Sequence, residues 1–210
     1  MDDKLIIFVK APRPGFVKTR LASAIGPGPA CDAYRALVEE LLAQLESLHP
    51  VELRFSPDDA AREIKPWLRN HWSAAAQGDG SLGERLTRAF EDAFAAGSKR
   101  VVVIGSDCPE VAAEDVIHAW SALETQDVVV GPASDGGYWL IGLNVESFPS
   151  CRGIFEGIDW STSRVLKQTL SWIKTRGKSY HLLRELGDVD NEADWREYTR
   201  HSPGHAMRDA

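Results

Sequence analysis

The chain opens on an uninterrupted apolar run, Leu5, Ile6, Ile7, Phe8 and Val9, the pattern of a strand buried on both faces of a parallel sheet. Pro12, Pro14 and Gly15 then impose a loop. Over residues 30–48, Tyr34, Leu37, Val38, Leu41, Leu42 and Leu45 recur at helical spacing and predict one buried stripe. Residues 51–55 read as a second strand, and 59–70 as a helix broken near Pro66. The turn Gly78-Asp79-Gly80-Ser81 leads into a helix over 82–96, with Ser81 placed to cap it. Residues 101–104 form the most apolar strand, which ends at Gly105-Ser106-Asp107-Cys108-Pro109. A helix over 113–123, strands over 127–131 and 138–143, a helix over 162–176 and a strand over 180–183 complete the alternation. Asp188-Val189-Asp190 precedes a short final helix containing Trp195.

Strands alternating with helices predict an α/β fold, a mostly parallel sheet flanked by helices. Residues 1–200 are expected to form one domain and 201–210, which include Pro203-Gly204, a flexible tail. Ligands in such sheets sit beyond the carboxyl ends of the strands, where several of the loops just named belong.

The 210 residues carry 24 Lys and Arg against 31 Asp and Glu, a formal charge of −7. This net acidity disfavours a broad nucleic-acid-binding surface, which needs a basic face. A phosphate-bearing ligand must instead be held by a local basic loop, a helix N-terminus or a metal ion. No stretch is apolar for long enough to span a membrane, and Cys31, Cys108 and Cys151 are too widely spaced for a disulfide framework or a paired-cysteine metal site. The expected location is the reducing cytoplasm.

Four constellations offer chemistry. The first strand is followed by Lys10, Pro12, Arg13, Pro14, Gly15, Lys18, Thr19 and Arg20, a basic turn whose cations and backbone N–H groups can hold a diphosphate. Its spacing is neither a Walker A loop nor a dinucleotide fingerprint. Asp107 sits where a carboxylate could ligate Mg²⁺ or Mn²⁺, or could cap the next helix, while Cys108 reads as a buried thiol. Asp135-Gly136-Gly137 describes a hairpin turn, or a surface that a sugar or phosphate approaches closely, with Tyr138 beside it for stacking. Ser161 or Thr162 can cap a helix behind Trp160. Asp188 and Asp190 alternate along an extended segment and face one way, to complete a metal site, act as a base or cap the last helix. His201 and His205 are separated by Pro203-Gly204, which argues against a helical metal pair.

In this order along the chain, Lys10-x-Pro12-x-x-Gly15-x-x-Lys18-Thr19-Arg20-Leu21, Gly105-Ser106-Asp107-Cys108-Pro109, Gly131-Pro132-x-x-Asp135-Gly136-Gly137-Tyr138 and Trp160-Ser161-Thr162 resemble one family. It is the small nucleotide-diphospho-sugar transferase-like family that includes the arsenosugar biosynthesis glycosyltransferases. The molybdenum-cofactor and phospholactate guanylyltransferases are more distantly similar.

The resemblance implies a GT-A Rossmannoid domain and a functional link to a radical-SAM enzyme. Lys18 and Arg20, with Lys10, Pro12, Gly15 and Ser106, would form the nucleotide side. Asp107 matches the single aspartate that replaces an Asp-x-Asp metal motif. Asp135 matches the acceptor-side loop, with Gly136, Gly137, Tyr138 and Trp160 as substrate contacts. One departure is Gly80-Ser81-Leu82-Gly83-Glu84-Arg85, where the family often has Asp at the second position.

The expected activity is a metal-dependent glycosyl transfer from a nucleoside-diphosphate sugar to a small acceptor, with Asp135, Asp188 and Asp190 as candidate bases. Nucleotidyl transfer from a nucleoside triphosphate, or nucleotide binding without turnover, are the alternatives.

Overall fold

The structure is a computed structural model and describes residues 2–201. Seven strands form one sheet: β1 (Asp3–Lys10), β2 (Val51–Ser56), β3 (Trp72–Ala76), β4 (Arg100–Ile104), β5 (Val128–Pro132), β6 (Tyr138–Asn144) and β7 (Tyr180–Leu182). Their order is β3-β2-β1-β4-β6-β5-β7, with β6 antiparallel to both neighbours and the other pairs parallel. The helices are α1 (Thr19–Ile25), α2 (Pro27–Gln44), α3 (Ala61–Ile64), α4 (Leu82–Ala95), α5 (Ala113–Ala122), α6 (Phe148–Cys151), α7 (Val165–Thr175) and α8 (Glu192–His201).

The period of two along β1 shows why its apolar run is unbroken. Leu5, Ile7 and Val9 enter one core with Tyr34, Val38, Leu41 and Leu42 of α2 and Val116 and Trp120 of α5. Ile6 and Phe8 enter a second core on the opposite face, with Leu86, Phe90 and Ala93 of α4 and Ile173 of α7. Helices cover both faces of the strand, so no polar position is left between Leu5 and Val9.

Several parts of the chain differ from expectation. The helix expected over 59–70 shrinks to Ala61–Ile64 and a 3-10 turn, Lys65–Trp67, that carries Pro66, and Phe148–Cys151 is a short helix the pattern did not announce. Thr19–Ile25 is helical, although the basic stretch reads as a loop through Arg20; Lys18, in the left-handed region at φ 46°, turns the chain into it. Trp72–Ala76 is an edge strand, unanticipated because Ser73 and three alanines have low strand preference. Backbone pairing with β2 holds it, and Trp72 Nε1 donates to the Leu48 carbonyl at 3.1 Å. The helix expected from 162 begins at Val165, without the side-chain cap expected from Ser161 or Thr162.

Ser81 caps α4 as expected. Its hydroxyl accepts from the Glu84 N–H at 3.3 Å, and Glu84 accepts from the Ser81 N–H at 2.7 Å. Cys31, Cys108 and Cys151 are free and buried. Among the described residues no helix is long and apolar enough to cross a membrane. The expected tail lies outside the described residues apart from His201, which ends α8; His205 is also outside.

Candidate active-site cleft

A cleft of about 740 Å³ opens beyond the carboxyl ends of β1 and β4, with Lys10, Arg20, Asp107, Asp135, Asp188 and Asp190 on its walls. Sheet topology brings these carboxylates together. The chain after β7 returns along the cleft, pinned where Ser134 N–H donates to the Leu186 carbonyl at 3.0 Å and Val189 N–H to the Asp107 carbonyl at 3.0 Å. Those two bonds set Asp188 and Asp190 beside Asp107, more than eighty residues away in sequence.

The basic loop divides its cations between two tasks. Arg13 is paired with Glu63 at 2.6 Å and Asp59 at 2.9 Å and fastens the loop to α3. Lys10 and Arg20 remain exposed at the cleft. Lys18 is the reverse case. Its side chain is 2% exposed and its ammonium binds Asp107 and, at 3.1 Å, Asp190. Burial alone would lower the Lys18 ammonium, but the charges of Asp107 and Asp190 raise it above its ordinary value. Arg20 adds a longer contact of 3.6 Å to Asp190. The Lys18 ammonium, expected on a ligand's phosphate, is therefore committed to carboxylates.

Asp107 caps no helix, since α5 begins after Ala112. Asp190 does not cap α8 with its side chain either; Asn191 Oδ1 accepts from the Ala193 N–H at 2.8 Å and does so instead. Asp188 titrates above the ordinary carboxylate value because it is desolvated and lies near the charges of Asp135 and Asp190. Asp135 is exposed, and its Oδ1 accepts from the Gly137 N–H at 2.7 Å.

Several expected contacts have other duties. Gly136, at φ 87°, packs against the Ser163 backbone, where a Cβ would overlap, and its carbonyl accepts from the Leu166 N–H at 2.9 Å. It is not on the cleft wall, whereas Gly137 is. Pro12 and Gly15 shape the loop, Gly15 through φ 82°, and are likewise off the wall. Ser106 is 4% exposed, and its hydroxyl is 3.2 Å from that of Tyr34. Tyr138 and Trp160 reach the cleft from the second core, edge to face at 6.3 Å. Burial pushes the Tyr138 phenol well above its ordinary value, so it stays neutral.

Two residues join the site that sequence reasoning passed over. Tyr34 belongs to the apolar stripe of α2, yet its hydroxyl accepts from the Lys10 N–H at 2.8 Å and reaches Ser106, tying β1 to the loop after β4. Arg85 lines the cleft from α4, its Nε donating to the Gly80 carbonyl at 3.0 Å and Nη1 to Gln77 Oε1 at 3.3 Å. Arg85 closes the run Gly80-Ser81-Leu82-Gly83-Glu84-Arg85 that the family resemblance points to, whereas nothing local sets Tyr34 apart from the apolar stripe of α2.

Among the described residues, no group of three or more His, Cys, Asp or Glu side chains is arranged to hold a metal ion. The donors nevertheless suit a hard cation completed by a ligand. Asp107 and Asp190 are 51% and 35% exposed beside a desolvated third carboxylate. One or two carboxylates plus phosphate oxygens is the usual holding arrangement for Mg²⁺.

The sheet order, with one antiparallel strand and a cleft at the strand ends, is the fold of nucleotide-diphospho-sugar transferases and nucleotidyltransferases. Residues 41–162 match the family described as an uncharacterized protein conserved in bacteria (DUF2064), and the chain belongs to that family. A crystal structure from Desulfovibrio desulfuricans G20, provisionally named a nucleotide-diphospho-sugar transferase, is 36% identical with a TM-score of 0.88, over 100% of this chain and 91% of that one. A nucleotidyl transferase from Methanothermobacter thermautotroptrophicus is 11% identical with a TM-score of 0.62, over 95% and 96%. A Mycobacterium tuberculosis H37Rv protein solved with manganese is 13% identical with a TM-score of 0.56, over 96% and 100%. The likeness to these last two proteins shows the fold alone. No curated protein matches the chain.

Proposed function

We propose that this protein is a metal-dependent glycosyltransferase, taking a nucleoside-diphosphate sugar as donor and a small molecule as acceptor. The observation that carries this reading is a single cleft with exposed Lys10 and Arg20 facing the carboxylates Asp107, Asp135, Asp188 and Asp190. The likeness to the D. desulfuricans protein supports the choice of donor.

Lys10 and Arg20 hold the diphosphate in this reading, with Arg20's guanidinium suited to paired phosphate oxygens. Asp107 and Asp190 are the side chains that would hold Mg²⁺ or Mn²⁺. The bound ion would offset the charge of the departing nucleotide, and the manganese in the mycobacterial protein of the same fold supports that choice. Asp190 is engaged by Lys18 and Arg20, which leaves Asp188 and Asp135 to take the acceptor's proton. Asp188 is the better placed, because it stands half-buried on the cleft wall beside Asp190 and is paired with neither Lys18 nor Arg20. Trp160 and Tyr138 offer an apolar wall to the sugar.

The test is calorimetric binding of a panel of nucleoside-diphosphate sugars with and without Mn²⁺. Binding that strengthens with Mn²⁺ and loses this increment in Asp107→Ala is expected. An unchanged increment in that variant removes Asp107 from the metal site. The Methanothermobacter protein of this fold, named a nucleotidyl transferase, keeps that reaction as a second reading. The released product decides between them: a nucleoside diphosphate for glycosyl transfer, pyrophosphate for nucleotidyl transfer.

A further inference from the structure

Lys18 is a buried cation on the wall of the cleft. Its side chain is almost fully buried, while the two carboxylates it touches face solvent, Asp107 at 51% exposure and Asp190 at 35%. The ammonium thus approaches the carboxylates from inside the protein and leaves their outer lone pairs open to the cleft. Its backbone is held in the left-handed region, at φ 46° and ψ 47°, without a side-chain cap, a conformation that costs a non-glycine residue energy. The surrounding structure enforces it: Ala22 N–H donates to the Lys18 carbonyl at 2.7 Å to start α1. The result is a fixed positive charge at the place where a divalent ion would bind. Nearby, Asp188 adds negative charge that Lys18 does not touch.

We propose that Lys18 is an internal counter-ion that competes with the divalent cation for Asp107 and Asp190, and so makes metal binding depend on the donor's diphosphate. This rests on the metal assignment made above. Without a ligand, Lys18 neutralises and holds the two carboxylates, and an arriving dication meets a cation already in place on them. When a diphosphate is present, its negative oxygens offset the Lys18 charge, and metal and nucleotide bind as a pair. Such coupling is reciprocal, each ligand tightening the other by one factor. It keeps the empty site from being filled by free metal, and Lys18 acts as a positioning residue.

The experiment measures Mn²⁺ affinity of the full chain by electron paramagnetic resonance of the free ion, with no nucleotide present. Lys18→Met keeps the length and removes the charge; Arg20→Gln is the exposed comparison. The expected result is Mn²⁺ binding roughly tenfold tighter in Lys18→Met than in the wild type, within the ordinary range of coupling, and a smaller gain in Arg20→Gln. Equal or weaker binding by a folded Lys18→Met chain overturns the proposal, for a purely structural lysine would give that result. If circular dichroism shows that this variant does not fold, Lys18→Gln, which removes the charge and keeps a hydrogen-bond donor, is read in its place. Mn²⁺ binding by each chain is repeated with UDP, GDP, CDP and ADP present. Absence of Mn²⁺ binding by every chain, with and without nucleotide, overturns the metal assignment itself and this inference with it. Binding of equal tightness in wild type and Lys18→Met overturns the Lys18 inference alone.

Discussion

Tyr34 gives the sharpest test of how the cleft floor is built. Its ring is 2% exposed and packs edge-on against Trp67, with centroids 6.2 Å apart. Its hydroxyl accepts from the Lys10 N–H at 2.8 Å and lies 3.2 Å from the Ser106 hydroxyl. The ladder between β1 and β4 ends at Ile7 opposite Ile104, short of Lys10, so the phenol supplies the acceptor where the sheet has stopped. Tyr34→Phe retains the ring and its packing and removes one oxygen. Leaving a partly buried donor without its acceptor costs about 1–3 kcal/mol. For a domain of this size that corresponds to a fall in Tm of about 2–12 °C. Urea denaturation of wild type and variant checks the first figure and calorimetry the second. Loss of stability below about 0.5 kcal/mol, the level of an unremarkable surface change, would show that the hydroxyl is not what ties β1 to the loop after β4.

Glu52 is buried between Lys4, at 2.7 Å, and Arg54, at 2.5 Å. Burial would raise its carboxyl, but the hydrogen bonds and charges of Lys4 and Arg54 hold it below the ordinary value. Its contribution to stability is therefore present at neutral pH and lost as pH falls through the lowered value. Glu52→Gln should cost about 3 kcal/mol at neutral pH, the low end for breaking a buried pair, because Arg54 keeps Asp92 at 2.8 Å. The difference should shrink in acid; denaturation curves showing the same difference at every pH would rule out the charge as its origin. A Cβ on Gly83 would lie 2.7 Å from the Phe155 carbonyl oxygen and 3.2 Å from Trp160 Nε1. Gly83→Ala should therefore destabilise by about 1–3 kcal/mol through overpacking and change the indole emission, and a more stable variant would contradict this packing. Ser81→Ala removes a cap worth about 1 kcal/mol, measurable by the same denaturation, and an unchanged midpoint would mean that Glu84 alone caps α4.

Local patterning is enough to define the alternation of strands and helices, because burial on both faces of a parallel strand demands an unbroken apolar run such as 5–9 and a helix demands a stripe such as that of α2. It also located the loops bearing Lys10, Asp107, Asp135 and Asp188, since Gly, Pro and Asp end strands for local reasons. The edge strand Trp72–Ala76 was not legible, because its order comes from backbone pairing with β2 and not from its own side chains. Nor were the partners of the charged groups. A basic loop looks the same whether its cations face a ligand or the protein. Only the tertiary structure turned Lys18 inward onto Asp107 and Asp190, assigned Arg13 to Glu63, and left Lys10 and Arg20 at the cleft. The physical reason is distance along the chain. Asp107 and Asp190 meet through the return of the segment after β7, and no local pattern encodes that contact or the burial that gives it strength.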